Sequence, residues 1–129
     1  MCGLRKQTAI LIVSLTGALQ APAALGAETD LQIFASCAGR MSALMEHQWL
    51  IADPQSGRTA AEREAMLALV GAILVPGEEA RAMQWRLEAK AAQADLLTRA
   101  RFLSDDAAAA RAARLSDALL GECRALLLS

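Results

Sequence analysis

Two cysteines, a pair of methionines and a lone histidine are the side chains of this chain best suited to chemistry. Cys37 sits in the apolar run "IFASCAGR", Ile33 to Arg40, and Cys123 sits in "LLGECRALLL" near the C-terminus. Met41, Met45 and His47 fall together in "MSALMEHQWL", residues 41 to 50. Cys37 has four possible roles: lipid-anchor site, metal ligand, nucleophile, or half of a disulfide.

The first thirty residues narrow that choice. Arg5 and Lys6 form a positive start, Thr8 to Leu19 an uncharged and largely apolar stretch, and Ala21 to Ala27 a zone of small residues. This is the layout of a secretory signal peptide. The apolar stretch falls short of the ~20 residues that a membrane span needs. Ala21-Pro-Ala23, Ala24-Leu-Gly26 and Leu25-Gly-Ala27 all offer small residues for cleavage, and the last gives a mature start at Glu28. The competing reading is an uncleaved N-terminal anchor. Cleavage after Ala27 removes Arg5 and Lys6 but no acid, which takes the net charge from -1 to -3. The expected location is periplasmic or secreted.

Cys2 leaves with that segment, so the mature chain keeps an even pair, Cys37 and Cys123. An even pair in an exported protein points to a disulfide. The other roles fit less well. A lipid-anchor cysteine would follow the apolar stretch directly, whereas Cys37 lies far beyond Leu19 and is preceded by Phe34-Ala-Ser. A zinc site takes about four ligands, and two cysteines with one distant histidine do not supply them. A catalytic thiol wants a neighbouring base or a Cys-x-x-Cys pair, and the sequence has neither.

Met41, Met45 and His47 raise the possibility of Cu(I), a soft ion suited to thioether and imidazole donors. Met41 and Met45 share a helix face, but His47 is rotated by about 200° from Met45 at the helical pitch. One helix alone cannot close all three on one ion, so the methionines read first as core. A haem would want a Cys-x-x-Cys-His attachment or well-separated axial ligands, and a di-metal bundle would want Glu-x-x-His on two helices. Neither pattern occurs. No phosphate loop, Ser-His-Asp set or nucleotide fingerprint is visible. The expectation is a non-enzyme without a cofactor. Interspersed charges and a pI near 5.8 also argue against nucleic acid as a partner.

The elements that must position these residues are helical. Hydrophobic residues make up 55% of the chain but aromatics only 3%, so the apolar content is mostly Ala and Leu, both strong helix formers. Four segments follow the signal. The first spans about 29–52, with Phe34, Cys37, Met41, Leu44, Gln48 and Ile51 at alternating three and four spacings, widened by Leu31, Ala38, Met45 and Trp49. "DPQSG" ends it. The second spans about 59–75, opened by a capping box of Thr59 and Glu62 and closed by Pro76-Gly77. The third spans about 78–103, with Ala80, Met83, Leu87, Ala91, Ala94, Leu97 and Phe102 as its expected inner face. The fourth spans about 105–127, with Ser104 as expected N-cap and a stripe of Ala108, Ala112, Leu115, Leu119, Cys123 and Leu126.

Short connections predict an all-α, antiparallel up-down-up-down four-helix bundle over residues 28–129. In that arrangement Cys37 lies ~12 Å into the first helix and Cys123 ~9 Å from the end of the last. Their heights match, which supports the pairing on grounds independent of compartment.

From Ala65 to Val75, "AMLALVGAILV", there is no charge. Such a segment is either a covered core helix or an apolar strip that binds something else. Met66, Leu67, Leu69, Val70, Ile73 and Leu74 are its candidate contact residues, and "RALLL" near the C-terminus would add apolar surface. The leading expectation is a protein-interaction module acting as adaptor, chaperone-like factor or inhibitor, through an unknown protein partner or by self-association. The alternative is a bundle that encloses a small apolar ligand or lipid.

Overall fold

The computed structural model describes residues 29–129, and these form four α-helices with no strand among them. The expected signal segment, its cleavage site and Cys2 lie outside the described residues. No described helix is long and apolar enough to cross a membrane.

Each helix begins and ends for a local reason. α1 spans Asp30–Leu50, and Thr29 caps it by accepting from the Gln32 amide at 3.2 Å. At its other end the Asp53 amide donates to the Gln48 carbonyl at 2.8 Å and the Ala52 amide to Trp49 at 3.3 Å. This paired closure turns the chain through a left-handed residue, here Ala52 with φ 54°. α2 spans Ser56–Ile73, four residues earlier than a Thr59 cap would allow. Gln55 is the N-cap and makes no side-chain cap bond; just ahead of it Asp53 accepts from the Gln55 amide at 2.8 Å, so the chain enters α2 from the Asp53 turn. Thr59 is therefore a buried interior residue, and Glu62 is free to serve a tertiary pair. Val75-Pro76-Gly77-Glu78 makes the next turn, with the Glu78 amide donating to the Val75 carbonyl and Gly77 at φ 97°. Proline followed by a left-handed glycine suits that turn.

α3 spans Glu79–Phe102 and α4 spans Asp106–Leu127. The α4 cap is Asp105, not Ser104: its carboxylate accepts from the Ala108 amide at 3.1 Å. Aspartate and serine are near-equal caps, so the Ser104-Asp-Asp run left the choice open.

α1 is the central element. It packs along α2 on one flank and α3 on the other, while α4 lies chiefly against α3. Ser42 meets Arg63, and Ala35 lies with Val70 and Leu74, so α1 and α2 run antiparallel. Gln93 bonds Ser116 at 2.7 Å, and Leu96 shares a hollow with Ala112, so α3 and α4 do the same. α2 and α3 are consecutive yet scarcely touch. The reason lies at Gly39. A Cβ there would fall 2.1 Å from the Arg86 carbonyl oxygen, so the missing side chain lets α3 seat directly on α1.

The main core is built around the Cys37–Cys123 disulfide, which joins α1 to α4 with a Cα–Cα distance of 5.4 Å. Met41, Met66, Ala38 and Leu120 surround it, and Leu126 and Leu127 close over it. Arg124 reaches from α4 to Glu62 of α2 at 3.0 Å, and Arg58 shares that carboxylate.

Candidate functional site

Because α2 and α3 flank α1 without meeting, a trough is left above α1. Ala35 forms its floor. Leu67, Val70 and Leu74 of α2 make one wall, and Ala82 and Met83 of α3 make the other. The hollow measures about 190 Å³ and opens to solvent. Among the described residues only two charged side chains line it, Glu79 and Arg86, both from α3. Glu79 accepts from the Gly77 amide at 2.9 Å. Among the described residues no carboxylate forms an ion pair with Arg86.

The charge-free stretch of α2 explains the left wall, although it is neither wholly covered nor wholly open. Met66 is fully buried against the disulfide cluster, so it is removed from any contact surface. Leu69 also packs there, half-buried. Leu67, Val70 and Leu74 turn toward the trough, and Ile73 faces solvent. Of the six candidate residues, three thus line the trough: Leu67, Val70 and Leu74. A second helix beside them would have covered the stretch completely. α3 does not, because it is drawn onto α1 at Gly39.

The right wall corrects the expected face of α3. Of the seven expected inner positions, Leu97 is half-buried, yet Ala80, Met83, Leu87, Ala91, Ala94 and Phe102 are exposed, Met83 by 49% and Leu87 by 56%. Ala82, Gln93 and Leu96 face inward instead, with Ala89 and Ala100 half-buried along the same line. Alanines occur all round this helix, so they gave no direction. Two polar details decide the orientation: the Gln93–Ser116 bond and the close seat on Gly39. The result is an exposed apolar ridge, Met83 and Leu87, directly beside the trough.

The α4 stripe is displaced less. Ala112 and Cys123 are buried as expected, but Ser116 and Leu120 take the inner positions while Leu115 is exposed. On α1 the outlier is Trp49, expected to fill a core gap but 59% exposed. Leu50, Phe102 and Leu103 are exposed as well. Leu50 lines a hollow with Leu97 and Thr98, which places the ends of α1 and α3 together and gathers these side chains at one end of the molecule.

The methionine and histidine candidates are separated. Met41 is fully buried beside the disulfide, and Met45 is buried too. His47 lines a shallow hollow on the α3 side of α1 with Ala43, Glu46 and Leu50. Among the described residues no group of three or more His, Cys, Asp and Glu side chains is placed to hold a metal ion. Arg40 approaches the disulfide, its Nη1 lying 3.9 Å from the Cys123 Sγ.

The chain matches no protein-family model, no curated protein and no solved structure.

Proposed function

We propose that this chain is an exported, non-enzymatic interaction module, periplasmic or secreted, that binds a protein through the trough between α2 and α3. One observation carries the reading: Met83 and Leu87 stand exposed beside an open trough whose lining among the described residues is apolar apart from Glu79 and Arg86. Monomeric proteins seldom leave such patches open without use. Export rests on the three-zone leader and on a disulfide that an oxidising compartment would form and keep. An adaptor, chaperone-like or inhibitory role fits this surface, because each needs affinity and no reacting group.

Enclosure of a small apolar ligand is less well supported. Ligand pockets occupy ~300–1,000 Å³ and bury most of the ligand. The trough is smaller and open along one side.

Site-directed photocross-linking in living cells tests the reading. A photoreactive residue in place of Leu87, at the ridge, is expected to trap a polypeptide. The same residue in place of Asp117, on the exposed face of α4, is expected to trap none. Equal yields at both positions, or no polypeptide adduct at Leu87, would contradict it.

A further inference from the structure

We infer that the trough is occupied by a second copy of this chain, paired about a twofold axis that crosses α3 beside Met83. The inference rests on the interaction-module reading above and names its partner. A twofold interface uses the same patch on both subunits, so that patch must be complementary to itself. This patch holds both halves of a fit. Met83 and Leu87 stand out as a ridge, and the hollow bounded by Val70, Leu74 and Ala82 lies next to them.

The charges obey the same symmetry. Among the described residues Glu79 and Arg86 are the only charged ones lining the trough, and they lie on one helix at a spacing of seven. Seven residues are about two helical turns, so both project from one side of α3. An axis perpendicular to α3 between residues 82 and 83 reverses the second helix. It sets Glu79 of each copy opposite Arg86 of the other. Two reciprocal ion pairs then flank an apolar centre, and Arg86, which has no carboxylate partner among the described residues, gains one. The same axis brings Leu87 level with the Val75–Glu78 turn of the other copy, where Val75 is exposed. A foreign apolar helix would require the hollow but not this matched pair of opposite charges.

Sedimentation of the purified, oxidised mature protein over a wide concentration range tests the pairing. The wild type is expected to form a dimer. Glu79→Arg and Arg86→Glu each turn two attractive pairs into two repulsive ones, and each is expected to weaken the dimer about tenfold or more. The double exchange, Glu79→Arg with Arg86→Glu, restores opposite signs and is expected to recover most of the loss. A second measurement does not depend on those variants: Met83→Cys, beside the axis, should form a covalent dimer on mild oxidation, whereas Asp117→Cys should not. A monomer at every concentration would overturn the pairing, as would a dimer indifferent to either single exchange or not recovered by both. A monomer that still yields a Leu87 adduct with another polypeptide would remove the second copy and leave the interaction module standing. A monomer with no adduct would remove both.

Discussion

At the residue scale, one position on α1 and one in the turn after it shape how the chain folds, and both are legible only with neighbours in view. Gly39 looks in sequence like an unremarkable small residue in a helix. In the fold it is the contact point for the α3 backbone. Gly39→Ala is expected to cost about 1–3 kcal/mol, as overpacking does when the obstacle is backbone that cannot swing away. A urea melt that leaves the midpoint unchanged would refute that seat. Ala52 is the opposite case. It holds a left-handed conformation, φ 54°, that costs a residue with a Cβ about 1–2 kcal/mol. Ala52→Gly relieves that cost and is expected to raise the midpoint by an amount worth roughly 1 kcal/mol, less glycine's larger entropy loss. The sequence marks a turn here through Asp53-Pro54, but nothing in "IADP" marks alanine as the left-handed residue. Capping carried the same ambiguity. Thr59 with Glu62 fits the capping-box pattern, yet the chain enters α2 earlier, from the Asp53 turn. Glu62 then becomes the acceptor that ties α4 to α2 through Arg124.

At the element scale, the fold class and the existence of four helices follow from composition and punctuation. The facing of the helices follows less evenly. α1 was legible because its large residues, Phe34, Met41 and Leu44 among them, lie on one side opposite Glu46. α3 was not, because alanines surround it and its large apolar residues are divided: Leu96 is buried and Trp85 packs half-buried against the core, while Met83, Leu87 and Phe102 point outward. Reading those large residues as core is the ordinary inference from periodicity, and it fails where an apolar face is left for something else. Stability separates the two faces. Leu96→Ala, on the buried face, is expected to cost about 2–4 kcal/mol. Leu87→Ala, on the ridge, should cost less than about 1 kcal/mol in the monomer. Chemical denaturation of both variants at low concentration checks the orientation, and reversed magnitudes would restore the face first expected. The interaction stretch on α2 was legible in part. Its lack of charge singled it out, but only the fold reveals that Met66 belongs to the disulfide core and that Val70 lines the trough, half-buried.

At the scale of the whole molecule, the disulfide is the feature that sequence and structure reach independently. Cysteine parity after export predicts it, and helix register places both sulfurs at one level. Its loop of 86 residues makes it a strong constraint on the unfolded chain. On the loop-entropy account, Cys37→Ala with Cys123→Ala is expected to lose roughly 4 kcal/mol, a large share of the margin of a domain this size. Thermal unfolding of the oxidised protein against the double variant measures it, and near-equal midpoints would show that the packing around Met41 and Met66 suffices alone. What remained hidden from the sequence at this scale was the order of neighbours. Short connections suggest that α2 should lie beside α3. Instead α1 separates them, and the trough exists because of that separation.

Export in an oxidised, trimmed form underlies the functional account, and the intact mass of the protein recovered from cells tests it most directly. Extraction with free thiols blocked should yield a chain beginning at Glu28, unmodified at Cys37 and Cys123 and lighter than its reduced form by one pair of hydrogens. A full-length chain beginning at Met1, or one carrying the blocking group on both Cys37 and Cys123, would contradict it.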